Sequence, residues 1–227
     1  MPLQYTVPLA ISAVIGTVLF LITLTQLDRK GALPMLGLFG AIAVWTGAYA
    51  LQLSATAQGS KELWNTVRYL GPTLVTLSFL VFAFYYTGFA HLATPRNVAL
   101  LAVIPVVTNV LVWLEFLGIG PELVRTGFDI TNANGFEQLT VEYGPWFLLH
   151  AVYSFALSIV AIAMFAVHWR GTDAGTPANK RTLTLLVGAI PPTVGSMANV
   201  AGVTAIDWGP VGYVVTALGL VLAIFYY

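Results

Sequence analysis

The sequence predicts an all-α membrane protein: a bundle of seven transmembrane helices, N-terminus outside and C-terminus in the cytoplasm, with a β-hairpin in one outer loop. Three observations lead there. Hydrophobic residues make up 58% of the chain and charged residues only 8%, whereas a soluble domain covers its surface with about 25% charged residues. Seven apolar runs are each long enough, at about 20 residues, to cross ~30 Å of hydrocarbon. The basic residues, finally, are shared very unequally between alternate connections.

The runs read as spans over 5–27, 32–55, 63–89, 98–117, 146–169, 181–203 and 208–226, within one domain covering residues 1–227. The first lacks a basic segment ahead of it and is long enough to span, so it is not read as a cleavable signal peptide. Polar or turn-rich breaks divide the runs: Asp28-Arg29-Lys30-Gly31, Gln58-Gly59-Ser60-Lys61, Thr94-Pro95-Arg96-Asn97, and the stretch from Gly171 to Lys180. Odd-numbered connections hold Arg29, Lys30, Arg96, Arg170, Lys180 and Arg181, while the N-terminus and even-numbered connections hold only Lys61 and Arg125. Basic loops stay cytoplasmic, which sets the orientation. The acidic Glu62, Glu122, Asp129, Glu137, Glu142 and Asp207 fall on the opposite, outer side.

Composition also excludes. A net charge of zero argues against nucleic acid as a partner. The absence of cysteine rules out disulfides, thiolate metal sites and covalent haem attachment. The bilayer itself is the first partner, and no cofactor is expected.

One connection is long, residues 118–145 on the outer side. Thr126-Gly-Phe-Asp-Ile-Thr and Phe136-Glu-Gln-Leu-Thr-Val-Glu-Tyr143 alternate apolar and polar residues on either side of Asn132-Ala-Asn-Gly. An Asn-Gly pair between alternating strands predicts a β-hairpin, here a lid over the outer end of the bundle.

An ionisable side chain near the bilayer centre costs at least ~2.5–3.5 kcal/mol, so its presence points to function or to an internal partner. Arg68 in span three, Glu115 in span four, His150 in span five and Asp207 at the start of span seven all fall in the outer third. Trp45, Tyr49 and Gln52 share one face of span two by their i, i+4, i+7 spacing, as do Trp146, His150 and Tyr153 on span five. Span six brings Ser196 and Asn199 to the same level. Aromatic walls with a few polar groups are the usual make-up of a small-molecule site. The expected ligand-binding set is Arg68, His150, Trp146, Tyr49, Gln52, Asn199, Asp207 and Glu115, for an unknown small molecule or lipid. Trp64, Trp113, Trp146 and Trp208 equally fit an interfacial aromatic belt, and Arg68 could pair with Glu115 or Asp207 for structure alone. No helix offers metal-ligand spacing. Pro191 and Pro192 remove backbone donors in mid-span six and predict a kink or hinge between Gly188 and Gly195.

Several stretches resemble a known family. Arg68-Tyr-Leu-Gly-Pro followed by Phe79-Leu-Val-Phe-Ala-Phe-Tyr-Tyr-Thr-Gly88 is similar to span three of the seven-transmembrane N-terminal sensor region of prokaryotic histidine kinases. Tyr143-Gly-Pro-Trp-Phe-Leu-Leu-His-Ala-Val-Tyr-Ser154, the basic pair Lys180-Arg181 opening a proline-centred span, and Asp207 before span seven fit as well. The resemblance implies an input module that receives a signal at the membrane and passes it through span seven to a cytoplasmic transmitter domain or kinase, in a homodimer. The sequence stops at Tyr227 with no phosphoacceptor box or ATP-binding glycines. The expectation is therefore an excised sensor region or a stand-alone member working through a partner, with no enzymatic activity of its own. The alternatives are a rhodopsin-like protein with a noncovalent chromophore or lipid, and a small transporter. A Schiff-base retinal is excluded because Lys30, Lys61 and Lys180 are the only lysines and none lies in span seven. Transport is disfavoured because the inner half holds no ionisable residue and the chain shows no internal repeat.

Because the chain has no cysteine, single-cysteine variants report topology directly. Glu122→Cys should react with a membrane-impermeant maleimide in intact cells, and Ala174→Cys only after permeabilisation. The reverse pattern would invert the orientation.

Overall fold

A bilayer core offers no water to the backbone, so a chain this apolar must satisfy its own amides, and helix does that within one segment. In a computed structural model, which describes residues 3–133, 135–204, 206–213, 215, 216 and 219, helix dominates. Its elements are α1 (Leu3–Leu24), α2 (Ala32–Ser54), α3 (Gln58–Arg68), α4 (Leu70–Tyr86), α5 (Pro95–Phe116), β1 (Arg125–Ala133), β2 (Phe136–Tyr143), α6 (Pro145–Arg170) and α7 (Pro177–Val200). Helices α3 and α4 together form one stretch of 29 residues, so six helices among the described residues are long and apolar enough to span. The chain turns helical again at Gly209. Most of the seventh predicted span lies outside the described residues.

The helices coincide closely with the first six predicted spans. The largest difference is at the third, which begins at Gln58 rather than at residue 63. Its first turns are polar, yet Lys61 and Asn65 are only 2% and 1% exposed, because the hairpin covers them. Two helices on the other side of the bundle start alike: Thr94 and Thr176 each accept the backbone N–H three residues on, from Asn97 and Asn179, at 3.2 Å. A proline follows each threonine, where its missing donor and fixed φ suit a helix start.

Between α3 and α4 the helix breaks at Tyr69. Pro72 has no N–H for the carbonyl of Arg68 four residues earlier and its ring crowds that carbonyl, so the regular ladder cannot cross. The neighbouring Gly71 meets α2: a Cβ there would overlap the Cβ of Trp45. Helix α4 is the hub, packing on α2, α5 and α6, while α1 leans on α2 and α7 on α6. Its core joins Leu38, Phe39 and Ile42 of α2 and Val75, Phe79 and Phe82 of α4 to residues of α6 and α7. Phe165 stands among Phe79, Phe82 and Tyr86 at centroid distances of 5.5, 6.1 and 5.6 Å.

The outward faces are apolar too. Val7, Ile11, Val14 and Val18 on α1, and Leu100, Val103, Val106 and Val110 on α5, are about half exposed or more. Their i, i+3, i+4 spacing makes continuous stripes that water would not tolerate at this size, but acyl chains would. The predicted hairpin is present. Strands β1 and β2 are antiparallel, with Ala133 opposite Phe136 beside the turn, Gly135 at φ 80°, and a register irregularity between Arg125 and Gly127.

Gly71→Ala should lower the thermal stability of the detergent-solubilised protein by about 1–3 kcal/mol through overpacking against Trp45. Gly59→Ala, where an added Cβ meets nothing within 4 Å, should leave stability unchanged or raise it.

Candidate functional site

The hairpin end is held by two buried cations that pattern reading had placed in solvent. Arg125, 2% exposed, sits at the start of β1 and reaches back into the bundle. Its Nε meets Glu115 Oε2 at 3.2 Å, one Nη donates to Thr66 Oγ1 at 2.8 Å and to Asn65 Oδ1 at 3.2 Å, and the other donates to the Val112 carbonyl. Glu115 also accepts the backbone N–H groups of Leu123, Val124 and Arg125, at 3.0, 2.6 and 3.3 Å. Lys61 Nζ donates to the Glu137 carbonyl of β2 at 3.0 Å. Charge-assisted bonds are the stronger kind, and here they tie α3 and α5 to both strands. Glu115, expected as a ligand contact or as Arg68's partner, therefore belongs to Arg125 and anchors the lid. It lines neither cavity described below.

Beneath the hairpin lie two cavities that meet at Arg68, Tyr143 and Asn199. The larger, about 340 Å³, is a polar vestibule between β2 and helices α2 and α3, lined by Tyr49, Gln52, Asn65 and Thr204 among others. The smaller, about 100 Å³, lies deeper between α4, α6, α7 and the residues after α7, against Trp45, Phe147, Phe155, Tyr213, His150 and Asp207. Of the residues predicted for a site, Tyr49 and Gln52 thus face the vestibule, His150 and Asp207 the deep chamber, and Arg68 and Asn199 both.

Arg68 is the last residue of α3, at the break that Pro72 imposes. Its guanidinium carbon lies 4.4 Å from the centre of the Tyr49 ring, a cation–π distance. Among the described residues no carboxylate comes within 4 Å of it; the single such ion pair is Arg125–Glu115. Asp207 acts on Arg68 through space, alongside Tyr49, Tyr143 and Tyr69.

Asp207 is itself committed at short range. Its Oδ1 accepts the Ser196 hydroxyl at 3.0 Å and the Gly209 N–H at 2.9 Å, capping the helix that starts there, and its own N–H donates to Tyr49 Oη at 3.2 Å. Arg68 and the two hydrogen bonds offset the cost of burying this carboxyl. Of these partners, Arg68 is the one a ligand could take over without unwinding the helix start.

His150 has a full set of partners. The Thr108 hydroxyl donates to the Ile104 carbonyl at 2.8 Å, so it accepts from Trp146 Nε1 at 2.9 Å and from His150 Nδ1 at 3.2 Å. His150 is then the Nδ1–H tautomer, and its Nε2 takes the Ser154 hydroxyl at 3.2 Å. Trp146 lines neither cavity; it packs with Tyr69, Val112 and Val124 and holds this network together.

Pro191 and Pro192 lie inside one uninterrupted helix, α7. Pro192 leaves the Gly188 carbonyl without its usual donor, and Thr216 of the last helix donates its hydroxyl there. A Cβ on Gly212 would come 2.6 Å from Pro192 N, and one on Gly195 would come 2.8 Å from Gly209 N. The prolines and glycines thus let the last helix lie directly against α7.

Pattern reading missed Asn65 and the buried role of Lys61. Lys61, Asn65 and Arg68 repeat at i, i+4, i+7, a polar stripe that was legible as one face of α3. Tyr143, which closes β2, stacks on Phe147 with centroids 3.7 Å apart and planes at 12°, and it stands at the junction of the cavities.

A helical membrane protein with a hairpin-covered, two-chambered cavity at one end of its bundle is the class these features define. Residues 8–227 match the family described as the N-terminal 7TM region of histidine kinase, and the chain belongs to that family. It is accordingly a membrane sensor module, of a kind associated with a cytoplasmic transmitter. Family membership supports neither the chromophore reading nor the transporter. No curated protein matches the chain.

Arg125→Met should destabilise the protein by about 3–5 kcal/mol, because Glu115 would remain buried without its cation. Adding Glu115→Gln should recover part of the loss. Unfolding of the single and double variants in detergent measures both.

Proposed function

We propose that this chain crosses the membrane seven times, with the hairpin end outside and the last span leading into the cytoplasm. It receives a small-molecule signal in the cavity beneath the hairpin and relays it through that last span to a histidine-kinase transmitter. Phosphotransfer chemistry belongs to the transmitter, and the working unit is a homodimer.

One observation carries the reading. Arg68 sits where the two cavities meet, free of any carboxylate within 4 Å among the described residues, and attracts Asp207, the cap of the last helix. An anionic or carbonyl group arriving at Arg68 competes with that attraction. The cap is then held less tightly, and the last helix is biased toward a second position against α7. A ligand shifts such an equilibrium only by its difference in affinity for the two states, and here the difference lies in the charge that Asp207 faces. The apolar core around Phe165 supplies a rigid body for the last helix to move against. In this scheme Pro191 and Pro192 are a contact surface for that movement, with the Gly188–Thr216 bond as its register mark, and the unequal basic loops support the orientation.

The test joins the chain to a histidine-kinase transmitter in membranes. Asp207→Asn and Arg68→Gln should shift basal autophosphorylation in the same direction, each on the order of tenfold, since each removes the same attraction. The double variant should go no further than either single one. Additive or opposite shifts would separate the two residues and remove the relay.

A further inference from the structure

The vestibule carries features that specify what enters it. Its lining includes one cation, Arg68, and no carboxylate, because Asp207 faces the deep chamber instead and Glu115 is turned to Arg125. Three of its polar atoms are buried without a hydrogen-bond partner among the described residues: Gln52 Oε1, Asn65 Nδ2 and Thr204 Oγ1. Gln52 and Asn65 are only 4% and 1% exposed. Such atoms are uncommon in native interiors because each costs about 1–3 kcal/mol when left unpaired. Three of them around one 340 Å³ space, with Asn65 held in place by its bond from Arg125, make a polar site.

From these atoms we infer that the vestibule binds a small hydroxycarboxylate. This rests on the proposed receptor role and names its ligand class. The carboxylate meets Arg68 and Asn65 Nδ2, both donors. Asn65 is oriented that way because its Oδ1 accepts from Arg125. A hydroxyl on the ligand donates to Gln52 Oε1, and Thr204 completes the set as donor or acceptor. A carboxylate without a hydroxyl leaves Gln52 Oε1 buried and unpaired, so it binds more weakly. An amino acid would place an ammonium beside Arg68 with no carboxylate in the lining to balance it, which disfavours zwitterions. A fatty acid's chain finds little continuous apolar wall here, since Leu53, Leu139 and Val141 stand among polar side chains.

The experiment measures binding of lactate, gluconate, propionate, glycine and octanoate to the purified full chain in nanodiscs, by calorimetry and by thermal shift. Lactate or gluconate should bind at least about tenfold more tightly than propionate, a loss of one hydrogen bond to a buried group, and than glycine or octanoate. Arg68→Gln should abolish binding of every anion. Gln52→Leu should bring the lactate-to-propionate ratio close to one while anion binding persists, and Thr204→Val is a second variant should Gln52→Leu not fold.

Equal binding of lactate and propionate, or preference for glycine or octanoate, would overturn the hydroxycarboxylate assignment. So would no binding of lactate or gluconate at about 10 mM, which would leave the vestibule a water-filled space. None of these outcomes touches the Arg68–Asp207 relay, which the autophosphorylation of the transmitter fusion tests by itself. Conversely, tight lactate binding with additive Arg68 and Asp207 effects on autophosphorylation would keep the site and remove the relay.

Discussion

The structure depends on an interruption in its central helix. Pro72 denies a donor to the Arg68 carbonyl, and the ladder breaks at Tyr69. Gly71, one residue away, brings the start of α4 against Trp45 of α2 so closely that no side chain fits. One break therefore fixes two things: where the hub of the bundle meets α2, and where the polar end segment α3 turns its residues. Lys61, Asn65 and Arg68 lie along one face of that segment. The first two engage the hairpin, and the third stands at the meeting of the cavities.

The membrane-embedded charges divide by what surrounds them. Arg125 and Glu115 neutralise each other at 3.2 Å and spend their remaining bonding capacity on backbone groups and neighbouring side chains. That arrangement leaves nothing for a ligand and holds the lid down. Arg68 has a tyrosine face and a more distant carboxylate in Asp207. A half-buried charge partnered this loosely is costly, and such cost is tolerated where another molecule or a second state supplies the missing partner. The lid is anchored at its base.

From mid-span to the hairpin end, α7 and the last helix approach through glycine, proline and a threonine hydroxyl. Close backbone contact suits association in lipid, where no hydrophobic effect drives helices together and packing must serve instead. It also gives the last helix a smooth neighbour. The other end of the bundle is a packed aromatic core around Phe165 with no comparable freedom. Stiffness on one side and loosely held charge on the other fit the proposed relay from the cavity to the last helix.

Much of this was legible in order along the chain. Apolar runs located six helices closely, because span length is set by bilayer thickness and not by tertiary contacts. The Asn-Gly pair and strand alternation located the hairpin, and the cost of burying charge singled out Arg68, Glu115, His150 and Asp207. What pattern could not decide was pairing. Two cations and two carboxylates at one level allow several partners, and only the packed structure gives Glu115 to Arg125 and leaves Arg68 with Asp207 at longer range. It alone turned Trp146 away from the cavities, closed His150 into a bond network, and divided one expected pocket into two. Composition and period determine which segments cross the membrane because they act through the solvent. Which side chains meet depends on helix rotation and on breaks such as that at Pro72, and those are settled by contacts between residues far apart in sequence.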